Sequence, residues 1–322
     1  MRILLTGISG FAGSALLPRL LLEGHEVRAL ARDRARVESA LESMTPESDV
    51  EVTLADFELV IGDTLSGAGM AQAMRDVEVA YYLIHSMEPA GGSMSGISFA
   101  ARERASAQTF ADAARAAGVS RVVYLGGPLP PERASTHLSS RYAVERILLE
   151  GVPESVALRA SIVIGARSRS FRFLVRLVER LPVIALPAWR RFRTRPIDER
   201  DLVELLARCA SDESVSGRSL EIAGPETLTY SELVERIAEL MMLSRPSVGL
   251  MVSVTPILAR LAAVLADEQP ELVLPLMESL GSDLLPSGEN AAAALNVELH
   301  SFDSAVEHAL YEWERLEPLA AR

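Results

Sequence analysis

A chain of 322 residues is long enough for one large α/β domain and a smaller lobe, and 49% hydrophobic content supplies an ordinary globular core. A formal charge of −12 with no basic tail argues against nucleic acid as a partner, and a single cysteine, Cys209, excludes an intrachain disulfide framework. None of the 32 basic residues is a lysine, which excludes lysine-dependent chemistry.

In chain order, an apolar run at 3–5 leads into Thr6-Gly7-Ile8-Ser9-Gly10-Phe11-Ala12-Gly13, and helical spacing follows over 14–23. Strand, glycine turn and helix in this order predict a dinucleotide site. One glycine serves the tight turn, one lets the backbone approach a pyrophosphate, and one lets helix pack on strand. The helix then offers free N–H groups and its positive dipole end to the phosphates. The expected cofactor contacts of this turn are Thr6, Gly7, Ser9, Gly10, Phe11 and Gly13.

Further strands are expected at 27–30, 59–61, 79–84, 122–125 and 156–164, and helices at 33–42, 66–75, 99–117 and 139–150. Gly24 and Gly118 fall where helices should be capped. The alternation predicts an α/β fold, a doubly wound parallel Rossmann sheet with helices on both faces. The dinucleotide domain is expected over 1–165. A smaller, mixed, mainly helical lobe is expected over 166–322, with helices near 230–242 and 301–313; the apolar run at 220–223 can rejoin the first domain.

Where NAD-binding folds carry an acid, about 20 residues after the glycine turn, this chain has Ala31-Arg32. A guanidinium there suits the 2′-phosphate of NADP, with Arg28 and Arg34 as helpers; NAD is the second choice. Asp63, after the third strand, is placed to accept from the adenine amino group. Ile84-His85-Ser86 ends the fourth strand on the nicotinamide side, where His85 is open between a structural hydrogen-bonder and a catalyst.

Cys209 falls within the helical pattern 199–210, as a small buried thiol and not a nucleophile. Residues 45–49 read as a surface loop. The apolar stretch 246–259 is shorter than a membrane span and is broken by Pro256, and residues 3–5 are too few for a secretory core. The cytoplasm is the expected compartment, and no metal site is expected.

With the glycine turn, Asp63, Tyr81-Tyr82-Leu83-Ile84-His85-Ser86-Met87, Tyr124-Leu125-Gly126-Gly127 and Pro196-Ile197-Asp198, the chain resembles the atypical and extended short-chain dehydrogenase/reductases, above all the NmrA-like NAD(P)H-binding group. Active members of that family use a Tyr-x-x-x-Lys pair and a nearby Ser or Thr. The tyrosine is general acid/base and the lysine holds the nicotinamide ribose. The resemblance carries these roles to Tyr142 and Arg146, whose spacing puts both on one helical face. Arginine supplies the charge but not an exchangeable proton. The family's hydroxyl position is taken by Gly126 and Gly127, which the resemblance sets against the cofactor.

The segment 167–200 carries ten arginines against Glu179, Asp198 and Glu199, a local charge of +7 in an acidic chain. Arg172, Arg176 and Arg180 recur every four residues and predict a continuous stripe. Three readings compete: a face compensated by acids elsewhere, a contact for an anionic small-molecule substrate near Arg190 to Arg195, or a docking surface for an acidic partner or anionic lipid.

The resemblance implies an NADPH-dependent oxidoreductase that moves hydride to or from a small carbonyl or polyol. It leaves two alternatives, a non-catalytic NADP(H) sensor or structural subunit, and a nucleotide-sugar epimerase or dehydratase. A homodimer is left open.

Overall fold

The computed structural model describes residues 1–44, 52–84, 98–129, 135–249, 281–317 and 319. Strand and helix alternate as β1 (Arg2–Thr6), α1 (Phe11–Leu22), β2 (Glu26–Ala31), α2 (Arg34–Glu42), β3 (Glu58–Ile61), α3 (Met70–Ala73), β4 (Val79–Tyr82), α4 (Phe99–Ala117), β5 (Arg121–Gly126), α5 (Thr136–Gly151) and β6 (Val156–Ala160). Beyond them come α6 (Arg169–Arg180), α7 (Glu199–Arg208), the strand Ser219–Ile222, α8 (Tyr230–Leu240) and a C-terminal helix, Phe302–Leu316.

All seven long strands are parallel, in the order β3-β2-β1-β4-β5-β6 followed by Ser219–Ile222. A parallel sheet covered on both faces demands strands that are apolar throughout, and Ile3, Leu4 and Leu5 are fully buried. One face packs Leu16, Leu17 and Leu20 of α1 against Leu202, Leu205 and Leu206 of α7. The other packs Phe110 and Ala111 of α4 with Val144 and Leu148 of α5. Because β1 lies between β2 and β4, the winding direction reverses there. In doubly wound sheets ligands bind at the carboxyl end of such a switch point.

Three expected elements differ. The strand expected over 156–164 is two pieces: after Ala160 the Ser161 hydroxyl donates to the Arg195 carbonyl (3.1 Å), and Val163–Ile164 pairs with Ile197–Asp198 instead. The helix expected over 66–75 shrinks to α3, because Gly67 and Gly69 take φ of +78° and +76°, outside helical space. The strand expected over 79–84 stops at Tyr82, where the Leu83 amide turns to donate to the Thr6 hydroxyl (3.2 Å). Gly118 caps α4 at φ +74° as expected, and the Val119 amide closes back on Ala114 (3.0 Å). The loop expected at 45–49 and most of the stretch 246–259 lie outside the described residues.

The strand Ser219–Ile222 rejoins the sheet, whereas α6, α8 and the C-terminal helix share a separate core built on Phe171, Tyr230, Leu233 and Trp313. Cys209 is fully buried, and burial pushes its thiol up to about 12, which leaves it inert at neutral pH. Among the described residues no helix is long and apolar enough to cross a membrane, and no His, Cys, Asp and Glu cluster is arranged to hold a metal ion.

Candidate functional site

The glycine turn sits at the carboxyl end of β1. Gly7 has φ +73°, and a Cβ there would lie 2.5 Å from the Leu83 carbonyl oxygen. A Cβ on Gly13 would collide with the Gly7 carbonyl group. Gly10 has extended φ and caps α1 without a side-chain hydrogen bond, and its amide closes on Gly7 (2.8 Å). The chain therefore folds tightly back under α1, whose first amides carry no side-chain cap. Ser9 and Gly10 are exposed and Phe11 is half-buried.

Thr6 is fully buried; its hydroxyl donates to the Tyr81 carbonyl (2.8 Å) and accepts from the Leu83 amide (3.2 Å), so its side chain ties β1 to β4.

At the end of β2, Arg32 is exposed and makes no hydrogen bond among the described residues. The neighbouring acid, Asp33, is turned to cap α2, accepting from Ala35 (2.8 Å). Arg28 is not a helper: its guanidinium is buried, paired with Glu58 (2.7 Å) and donating to the carbonyls of Ala73 (3.0 Å) and Arg75 (2.6 Å). Arg34 lies along α2 near Glu38. Asp63 holds its own loop, accepting from the Leu65 amide (2.7 Å), and keeps one carboxylate oxygen for another donor. Ile84 is half-buried after β4; His85 and Ser86 lie outside the described residues.

Six tyrosines occur in the chain, and their settings separate them. Tyr81 donates to the Leu206 carbonyl (2.8 Å), Tyr82 shares a hydrogen bond with Ser106 (2.9 Å), and Tyr124 donates to the Arg141 carbonyl (3.1 Å). Burial pushes all three phenols, and Tyr230, well above the ordinary tyrosine range. Tyr311 is exposed on the C-terminal helix, beside Arg315. Tyr142 alone is an open phenol near the strand ends: it is 41% exposed, its hydroxyl has no partner among the described residues, and the Arg159 guanidinium lies 5.9 Å from its ring centroid. Arg159 stands level with Gly126, the last residue of β5, which fixes Tyr142 at the carboxyl edge of the sheet.

Arg146 shares that face of α5 but turns to Glu150 (2.7 Å), with Tyr142 a further electrostatic neighbour. Gly126 and Gly127 close the strand tightly. A Cβ on Gly126 would lie 3.0 Å from the Tyr124 ring, and one on Gly127 would lie 2.9 Å from Leu138.

The continuous basic stripe on α6 is corrected by the C-terminal helix. Arg172 and Arg176 both reach Glu317 (2.7 and 2.8 Å) and both lie over the Trp313 ring, and Arg176 also meets Glu179 (2.6 Å). Arg193 pairs with Asp283 (2.6 Å), Arg200 with Asp198 (2.5 Å), and Arg195 donates to the Gly224 carbonyl (2.8 Å). Arg190 and Arg191 remain exposed.

Sequence reasoning passed over two groups. One is the cluster of Arg159, Glu145 and Glu221 behind Tyr142, flagged only by charges inside apolar runs. The other is the reach of Arg167 from the second lobe to the Ser14 hydroxyl in α1 (2.9 Å).

A doubly wound parallel sheet, a glycine turn at its switch point and further helices folded on after the sixth strand define a Rossmann-type α/β protein of the dinucleotide-binding class. Residues 3–165 match the NAD dependent epimerase/dehydratase family, and the chain belongs to it. It is 25% identical over 244 residues to the chloroplastic divinyl chlorophyllide a 8-vinyl-reductase of Oryza sativa subsp. indica, a match spanning 74% of this chain and 58% of that protein. In structure it is similar to a Staphylococcus aureus nucleoside-diphosphate-sugar epimerase, with TM-score 0.72, 14% identity, and 95% and 100% of the two chains covered. A Bacillus cereus UDP-glucuronic acid 4-epimerase in complex with UDP-glucuronic acid and NAD gives TM-score 0.70, 14% identity, and 98% and 100% coverage.

Proposed function

We propose that this chain is an NADP(H)-dependent oxidoreductase acting on a small carbonyl or polyol, with Tyr142 as general acid and base. The observation that carries the reading is Tyr142, among the described tyrosines the one open phenol at the carboxyl edge of the sheet, the same edge as a cradle that alanine at position 13 would block. Gly7, Ser9, Gly10, Phe11 and Gly13 would seat the pyrophosphate, and Asp63, Ile84, Gly126 and Gly127 would line the path to either side.

When bound, the nicotinamide supplies or accepts the hydride. Tyr142 then gives its phenolic proton to the substrate oxygen in reduction, or takes it back in oxidation. Arg159 orients the ring from below. The rice relative, by its name, reduces a vinyl group, so conjugated alkenes belong beside carbonyls, quinones and a UDP-sugar in the substrate panel. For an anionic substrate, Arg190 and Arg191 are two adjacent exposed cations of the second lobe.

Tyr142→Phe is expected to leave NADPH binding, followed by fluorescence titration, unchanged while turnover falls roughly 10²- to 10⁴-fold. Equal rates in both proteins would end the catalytic reading. The second reading, a non-catalytic NADP(H) binder, draws on Gly126-Gly127 and on Arg146 held by Glu150. It predicts binding with no turnover of any panel member.

Support for the 2′-phosphate comes from Arg32, exposed at the end of β2 with no hydrogen bond among the described residues, beside an acid committed to a helix cap. A charge-assisted phosphate contact contributes about 1.5–3 kcal/mol, so Arg32→Ala should weaken NADPH roughly 10- to 100-fold and leave NADH within about twofold. Equal losses for both nucleotides would sink the assignment.

A further inference from the structure

Arg167 differs from the other well-placed arginines of the second lobe. Arg172, Arg176, Arg193 and Arg200 each meet a carboxylate within hydrogen-bond distance. Arg167 is half-buried and meets a neutral group, the Ser14 hydroxyl (2.9 Å), which itself donates to the Phe11 carbonyl (3.0 Å). Burial pulls its guanidinium below the ordinary arginine range, and Glu199 opposes this only as a through-space charge. A guanidinium stays protonated even so, and it has five donors. A desolvated cation whose one acceptor among the described residues is neutral is costly unless an anion completes it.

The chain is built to bring that cation to the glycine turn. After Val163–Ile164, Gly165 passes so close to Glu199 that a Cβ would collide with the carboxylate. The Ser168 amide then closes on the Gly165 carbonyl (3.0 Å), and α6 begins. Arg167 lies inside this turn and points at the first turn of α1, one residue past Gly13.

We infer that Arg167 is a binding residue for the cofactor's diphosphate, closing on it from the second lobe while the amides of α1 hold it from the sheet. The inference rests on the dinucleotide reading of the glycine turn. Both lobes then hold the same ligand, and the cofactor's negative charge completes the coordination of a cation whose protein acceptor, the Ser14 hydroxyl, is neutral. Arg32 reads the 2′-phosphate, whereas Arg167 reads a charge that NADPH and NADH share, so it adds affinity without adding preference.

The test uses the full chain and three readouts on wild type, Arg167→Met and Arg167→Lys. NADPH and NADH titrations should both weaken about tenfold or more in Arg167→Met, by similar factors, with partial recovery in Arg167→Lys. Inorganic pyrophosphate should compete with NADPH for wild type and lose that effect in Arg167→Met. The melting temperature without nucleotide should hold or rise in Arg167→Met, since an incompletely paired buried cation is removed. A fall in that temperature, with nucleotide loss but unchanged pyrophosphate competition, would make Arg167 a structural residue and overturn the inference. Unchanged affinities in Arg167→Met would overturn it too, while leaving the dinucleotide reading intact. Failure of the wild type to bind either nucleotide would remove that reading, and the inference with it.

Discussion

Gly13→Ala is expected to abolish tight dinucleotide binding and to destabilise the fold, whereas Gly10→Ala should weaken binding alone. The added Cβ at position 13 collides with the Gly7 carbonyl oxygen and would sit 2.7 Å from the Gly7 carbonyl carbon and 3.0 Å from the Ile8 Cα, all of them backbone that cannot swing aside. Helix α1 must then lift from the turn. Overpacking of this kind costs about 1–3 kcal/mol. The lift also moves the α1 amides away from any phosphate, and each charge-assisted contact contributes about 1.5–3 kcal/mol, so affinity should fall roughly 100-fold or more.

At Gly10 the φ of −91° suits any residue, and the nearest contact of an added Cβ is 3.1 Å. Stability should change little there, while the methyl group stands where the backbone must approach the phosphates. Nucleotide titration and thermal denaturation of the two variants read both effects. Wild-type affinity in both variants would show that this turn holds no phosphate.

The second large effect concerns Arg159→Met. Arg159 holds Glu145 by two hydrogen bonds (2.9 and 2.6 Å) and Glu221 by a third (3.3 Å), while Ser219 adds a donor to Glu145 (2.7 Å). Both carboxylates have only 3% of their side-chain surface exposed. The cluster pins α5 and the seventh strand to β6, and it supports the ring of Tyr142. Removing one partner of a buried ion pair costs about 3–5 kcal/mol, because the remaining charges are left without compensation.

Burial already raises the Glu221 pKa, and Arg159 opposes the rise, so the variant raises it further. A carboxyl with a raised pKa in the fold keeps its full stability below its unfolded pKa and loses it as pH rises through the folded value. The deficit of Arg159→Met should therefore be small near or below the ordinary carboxylate range and reach its full size at neutral pH and above. Urea denaturation at pH 4 and pH 8 measures this. An equal deficit at both would assign the loss to packing alone.

The cluster also shows where sequence reading stops. Arg28, Arg159 and Glu221 stand inside apolar strands, and each is a signal that a buried partner exists. Periodicity names no partner, since Glu145 lies 14 residues from Arg159 and Glu221 lies 62 away. Arg28, a natural helper for a phosphate when only its distance from the glycine turn is known, faces Glu58 and the carbonyls that end α3. Tyr142 and Arg146 were legible as a pair on one helical face, yet Glu150, a further four residues on, draws the arginine away from the phenol. The stripe Arg172, Arg176 and Arg180 was legible as a pattern, and its compensation by Glu317 required the C-terminal helix to fold back.

By itself the sequence determined the parallel α/β architecture, the glycine turn at the end of β1, the helix caps and the missing acid at the end of β2. Each of these is local: an apolar period, a residue without a Cβ, or the presence or absence of one charge within a short span. Only the tertiary structure decided which charges are spent on one another, which phenol stays open, and that Arg167 comes to rest on α1. These depend on contacts between residues far apart in the chain, and burial sets their strength because it removes the water that would otherwise satisfy each group.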